Sequence, residues 1–271
     1  MIERMLGFLA YFFGSAGLVG IVLAVVFGAV WLALYRPPLL RKPWLWAVLA
    51  GSAVLTPIAI FCADDSAMIP YWVWQAYTYF WSREVLTEWV LLINVPVLLL
   101  NGLVKEGAKL APVAVYWWRA GRDMPPKLGL IIGAVAGAGY GILWAVWWHS
   151  ALFSSGWTWQ AAVQTAGTWG ACLPFVEPFV VVGFHTASCA LAGYGLARGW
   201  GWQFYLLASS LHAVLSYCYL LHNVGLFDEL TRALGFDENL IVLLLIGVWA
   251  FVVSGAVLWL RERKAAPPTG R

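Results

Sequence analysis

The chain has 271 residues, 62% of them apolar and only 11% charged, with a formal net charge of +3 and a mean hydropathy of +0.79. Soluble domains carry about a quarter charged residues, so this composition excludes an ordinary cytosolic enzyme, a disordered chain and a secreted disulfide scaffold. It predicts an all-α, polytopic transmembrane helix bundle of about seven spans, each needing about 20 apolar residues. Residues 1–264 would form one transmembrane domain and 265–271 a disordered cytoplasmic tail.

In chain order, the apolar runs bounded by charges, Pro or Trp predict spans over 6–35, 44–62, 86–116, 128–149, 174–197, 202–221 and 239–260. The first is about twice as long as a signal-peptide core and lacks a small-residue cleavage site, so it is read as a retained helix. Basic residues collect on alternate connections: Arg36, Arg41 and Lys42, then Arg119, Arg122 and Lys127, then Arg198, then Arg261, Arg263 and Lys264. The intervening connections are acidic or uncharged. Because Lys and Arg accumulate on cytoplasmic loops, the N-terminus is expected outside and the C-terminus inside. Trp residues at 44, 46, 117, 118, 147, 148, 200, 202 and 259 fall near span ends, where an amphipathic ring favours the headgroup zone. Two aromatic-rich outer segments, Tyr71–Trp81 and Trp157–Trp169, are too short or too polar to span, and each lies in the interface or re-enters the bundle.

Cys62, Cys172, Cys189 and Cys218 show no CxxC spacing and read as buried thiols. The charges are dispersed and serve topology, so nucleic acid is not an expected partner. The lipid bilayer is.

Ionisable groups at membrane depth are expensive and are therefore the natural functional candidates. The third span carries Lys105-Glu106-Gly-Ala-Lys109. Glu106 lies 11 residues inside Trp117, about 16 Å along a helix and close to the midplane. Alternatively the span ends near Val104, and Lys105, Glu106 and Lys109 snorkel at the inner surface. In the first arrangement Lys109, one turn from Glu106, could hold the carboxylate ionised, the state a water-activating base requires. His185 and His212 sit near the middles of the fifth and sixth spans, at matched depth. Ser188 and Cys189 share the face of His185, and Ser209 and Ser216 that of His212. His149 and His222 fall at outer span ends and are expected to be solvated. Glu177, between Pro174 and Pro178 at a helix start, reads as structural. Gly133, Gly137, Gly139, Gly141, Gly183, Gly193 and Gly195 permit close helix contact.

At these residues the sequence resembles the PrsW-type intramembrane proteases, within the wider set of CAAX-processing and bacteriocin-immunity membrane endopeptidases. That family has a Glu-Glu-x-x-Lys/Arg motif, a Gly-rich helix with Gly-Phe-Ala-x-x-Glu-Asn, and two later helices each with a histidine. Lys105-Glu106-Gly-Ala-Lys109, Gly139-Tyr140-Gly141-Ile142-Leu143-Trp144-Ala145, His185 to Gly195 and Leu211-His212 to Tyr217 stand at those places, over roughly residues 100–220. Two family carboxylates are replaced, one by Lys105 and one by Trp144. The resemblance implies Glu106 as the base that activates water, His185 and His212 orienting it or stabilising the oxyanion, and Lys109 in support. It further implies a membrane-anchored peptide or protein substrate, a bacterial plasma (inner) membrane location and no cofactor. The lost carboxylates leave a second reading open, a catalytically degenerate subunit or scaffold of a larger membrane complex. One glutamate and two histidines would also suffice as zinc ligands, and two midplane histidines are the minimum for haem b.

Overall fold

A computed structural model describes residues 2–14, 17–63, 68–223 and, within the last apolar run, Gly247, Ala250, 252–254, Ala256 and Val257. Among these residues all regular structure is helical: α1 (Ile2–Gly14), α2 (Gly17–Tyr35), α3 (Trp44–Ala63), α4 (Met68–Phe80), α5 (Arg83–Glu88), α6 (Val90–Arg119), α7 (Pro126–Ser154), α8 (Trp159–Ala197) and α9 (Gly201–Asn223). Six of them, α2, α3, α6, α7, α8 and α9, are long and apolar enough to cross a membrane. Leu18, Val19, Val22, Val25, Val26 and Val30 of α2 are exposed, an apolar surface suited to lipid rather than water. The expected span over 239–260 and the tail 265–271 lie largely or wholly outside the described residues, as do His222's side chain and the acidic outer connections.

One boundary differs from the sequence expectation. The run from Leu6 to Tyr35 is not one helix: α1 ends at Gly14, and α2 begins at Gly17, whose φ of 60° is a left-handed conformation open to glycine at little cost. A single helix of that length would measure about 45 Å against a core of about 30 Å, whereas α2 alone matches the core. The outer segment Trp157–Trp169 keeps a short helix of its own: α8 is two helices that meet at Gly167, whose backbone angles (φ 71°, ψ 176°) are not helical, and the fifth span follows it.

The spans alternate in direction. Arg36, Arg41, Lys42, Arg119, Arg122, Lys127 and Arg198 therefore share one end of the bundle, the end the charge rule assigns to the cytoplasm. At its centre stands α7, packed against α1, α2, α3, α6 and α8. Its glycines at 129, 133, 137 and 141 recur every fourth residue and so line one face. A Cβ at these positions would meet the backbone of Gly193, Cys189 and Ala190, His185 and Thr186, and Val182, respectively. This ladder sets α7 and α8 in antiparallel contact at backbone distance. Gly139, on another face, abuts Leu49 of α3 in the same way.

Polar contacts stitch the remaining pairs. Asn101 Nδ2 donates to the Ala63 carbonyl at 2.8 Å, joining α6 to α3. Tyr205 Oη donates to the Leu103 carbonyl at 2.8 Å, joining α9 to α6. Trp31 Nε1 donates to the Phe179 carbonyl at 2.8 Å, joining α2 to α8. Pro178 has no N–H for the carbonyl of Pro174 one turn back, and Trp148 Nε1 fills the vacancy from α7 at 3.2 Å.

Candidate functional site

The helix α6 runs unbroken through Lys105-Glu106-Gly-Ala-Lys109 to Arg119. The alternative in which the span ends near Val104 is thereby corrected: Lys105, Glu106 and Lys109 are all buried, with Lys109 at 0% exposure. Their long chains do not snorkel because α8 and α9 close over this face of α6 and supply polar partners. One turn of helix brings Lys109 back onto Glu106, and the two form an ion pair. From α9, His212 Nδ1 lies 2.9 Å from the same carboxylate oxygen, Oε1. From α8, Ser188 Oγ donates to the carboxylate at 3.3 Å from Oε2. Lys109 Nζ also reaches Ser188 Oγ at 3.2 Å and His185 Nδ1 at 3.1 Å.

Glu106, His185 and His212 thus meet although they come from three helices, with one ligand-capable atom of each within 4.8 Å of the others. The histidine rings are 5.4 Å apart, centre to centre. Around them Tyr140 packs edge-on to His185 at 4.9 Å, Trp144 edge-on to His185 at 6.0 Å, and Phe184 edge-on to His212 at 5.8 Å. Lys109 Nζ lies over the rings of Tyr140 and Phe184 at 5.4 and 5.7 Å, a favourable place for a cation.

His185 and His212 border a cavity of about 750 Å³. Its walls come from the halves of α6, α7, α8 and α9 that point away from the basic connections, and from α4. They include Trp74, Tyr77, Trp144, Trp148 and Tyr219, with Lys105 and Asn101 as polar lining. A space of this size is typical of sites that enclose an organic ligand. Two polar atoms at this wall, Asn101 Oδ1 and His185 Nε2, are buried and make no hydrogen bond.

The residues singled out in the sequence divide clearly. Glu106, Lys109, His185 and His212 converge, and Ser188 joins them. Cys189 instead packs into the core formed with Ile132 and Val135, Ser209 donates back to the Tyr205 carbonyl, and Ser216 borders the cavity. The expectation for His149 is corrected: it is fully buried rather than solvated, because α1 and α2 cover the outer end of α7. Glu177 accepts a hydrogen bond from Tyr219 Oη on α9, so it ties two helices together rather than only facing a helix start. Trp144, where the family would carry a carboxylate, stacks on Trp148 at 5.6 Å and packs beside the histidines. Lys105 was visible in the sequence as an ionisable group of the third span, and its place on the cavity wall depends on which way its face of α6 turns. The four cysteines are free thiols.

Three protein ligands and an open side would suit a catalytic zinc, so the fit can be tested on the donor set. Glu106 Oε1 is engaged by Lys109 and His212, and His185 Nδ1 by Lys109. A divalent cation among these atoms would have to stand beside a buried ammonium that already balances the single carboxylate. That donor set fits a metal poorly.

No protein-family model matches the chain, and comparison with curated proteins and with solved structures finds no match either.

Proposed function

We propose that this integral membrane protein is an intramembrane endopeptidase of a bacterial plasma membrane, which hydrolyses a peptide bond of a membrane-anchored substrate with a water activated by Glu106 and its two histidine partners. The observation that carries this reading is the meeting of Glu106 with His185 and His212, two histidines that border an aromatic-lined cavity inside the helix bundle. Hydrolysis of an amide needs a base for water and a hydrogen-bond donor for the developing oxyanion. A carboxylate held beside Lys109 and two imidazoles contain both. Bringing a peptide segment to them requires space within the bundle, which the cavity supplies. The reading agrees with the resemblance to PrsW-type proteases at Glu106, Lys109, His185 and His212, and it needs neither of the two carboxylates replaced by Lys105 and Trp144.

The test is co-expression with a reporter in which a single apolar span carries a cleavable juxtamembrane segment. Glu106→Gln, His185→Ala and His212→Ala are each expected to abolish processing with the protein level unchanged. Normal processing by the triple variant would overturn the assignment, and chelator-sensitive processing restored by zinc would transfer it to a metalloprotease.

The stacking of Trp144 on Trp148 beside His185 favours one other reading, a scaffold subunit whose former catalytic corner has been filled with aromatic rings. A stable partner co-purifying in mild detergent, together with no processing by the unaltered chain, would select it.

A further inference from the structure

The hydrogen bonds around the two histidines give them different tautomers, and that difference assigns their roles. A lysine ammonium has three donors and no acceptor. Lys109 directs these at Glu106 Oε1, His185 Nδ1 and Ser188 Oγ. His185 Nδ1 must therefore accept, which places the ring proton on Nε2. That N–H is buried and has no hydrogen-bond partner among the described residues. The carboxylate of Glu106 has only acceptors, so His212 Nδ1, 2.9 Å away, must donate. The proton of His212 then sits on Nδ1, and its Nε2 is left with a free lone pair. Both rings border the cavity. The site therefore offers one unused acceptor, His212 Nε2, and one unused donor, His185 Nε2–H, on neighbouring rings 5.4 Å apart.

We infer that His212 Nε2, not the Glu106 carboxylate itself, takes the proton from the attacking water, that His185 Nε2–H receives the carbonyl oxygen, and that Glu106 and Lys109 are positioning residues fixing the two tautomers. This inference rests on the hydrolase reading and deepens it. In the first step the water oxygen bonds to the carbonyl carbon, its proton passes to His212 Nε2, and the carbonyl π pair moves onto oxygen, against His185 Nε2–H. The imidazolium so formed donates through Nδ1 to the Glu106 carboxylate. In the second step the oxygen pair re-forms the C=O bond, the C–N bond breaks, and the amine nitrogen takes the proton back from His212 Nε2. The products are a carboxylic acid and an amine, and the site returns to its starting state. A buried carboxylate that orients an imidazole through Nδ1 and balances its charge is a recurrent solution for activating a weak nucleophile.

Two measurements on the full chain in detergent or nanodiscs test the assignment. Selective ¹⁵N-histidine labelling reads each tautomer directly. The expected spectrum has His212 protonated on Nδ1 and His185 on Nε2, with Lys109→Met removing the preference of His185 while His212 keeps its own. On the membrane reporter, His212→Ala is expected to lose about 10²–10⁴-fold of the rate, the usual contribution of a positioned base, and to recover in part with added imidazole, which the cavity can admit. Glu106→Gln is expected to lose rate without imidazole rescue, since it leaves the base present but misdirected. Both rings in the same tautomer, or His212→Ala within tenfold of the unaltered rate while Glu106→Gln is inactive, would overturn the inference and leave the hydrolase reading standing. If the unaltered chain cuts no reporter while the two tautomers are as stated, the hydrolase reading fails and the assignment of the bases falls with it.

Discussion

The α-carbon of Gly137 is seated against the backbone of His185, so close that an added methyl group would collide with the His185 carbonyl oxygen and would approach Cβ of Cys189 to 2.9 Å. The residue that lets two helices touch is therefore opposite one of the two histidines of the site. Packing and chemistry are joined at this point: the depth at which His185 meets Lys109 is set by the glycine ladder on α7.

Gly137→Ala should push α8 away from α7 and carry His185 with it. Overpacking of this kind costs about 1–3 kcal/mol, and the loss of activity should exceed what the loss of folded protein explains. The control is Gly7→Ala, where nothing lies within 4 Å of the new methyl group. Thermal unfolding in detergent and reporter processing, measured on the same preparations, separate the two effects.

His149 is fully buried against Gly20 of α2, and among the described residues neither ring nitrogen makes a hydrogen bond of ordinary geometry. Its neighbours are the rings of Phe27, Phe153 and Phe175, each about 6.0 Å away. An unsatisfied buried polar group costs about 1–3 kcal/mol. Replacing it with an apolar side chain of similar volume should recover part of that. His149→Leu is expected to raise the unfolding temperature and to leave processing unchanged, since His149 takes no part in the site. A clear fall in the unfolding temperature would show that the imidazole has a polar role in the fold.

The bond from Trp148 Nε1 to the Pro174 carbonyl compensates for the N–H that Pro178 lacks. Trp148→Phe should therefore destabilise the protein by about 1 kcal/mol. The same substitution in a Pro178→Ala background should cost less, because the new amide can donate to Pro174 along the helix. A double-mutant cycle on unfolding free energies gives the coupling directly, and a cycle without coupling would assign the tryptophan's contribution to its stacking on Trp144.

Length and hydropathy made α3, α7 and α9 readable within a few residues, because each is an uninterrupted apolar run of the length a bilayer needs. The common level of Glu106, His185 and His212 was readable too, from counting residues inward from the span ends, and the three meet. What counting could not supply was direction around each axis. A helix turns about 100° per residue, and in spans where most side chains are apolar there is no polar face to mark the outside. That Glu106 turns toward α8 and α9, and Lys105 toward the cavity, emerges only when the helices are packed. His149 was misjudged for a related reason: its place at a span end was legible, but its cover of α1 and α2 was not, because α1 was hidden in what looked like one long first span. The break before Gly17 carries a weak signal, a Gly-Ser-Ala-Gly sequence that an apolar helix also tolerates.

The polar cluster of α6 also bears on how the chain is made. Lys105, Glu106 and Lys109 leave the ribosome well before Ser188, His185 and His212, whose side chains receive two of them. A lysine at the centre of a lone helix in lipid costs about 2.5–3.5 kcal/mol, and α6 carries two lysines and a carboxylate within five residues. As a lone span this helix would hold those groups in lipid without the partners that α8 and α9 give them in the fold. The bond from Asn101 to the Ala63 carbonyl is a contact that α6 can make with an earlier helix, α3, before α8 and α9 are synthesised. The last third of the chain therefore supplies the polar partners of the middle third, so the groups proposed for chemistry are also the ones that offset the cost of burying α6's charges.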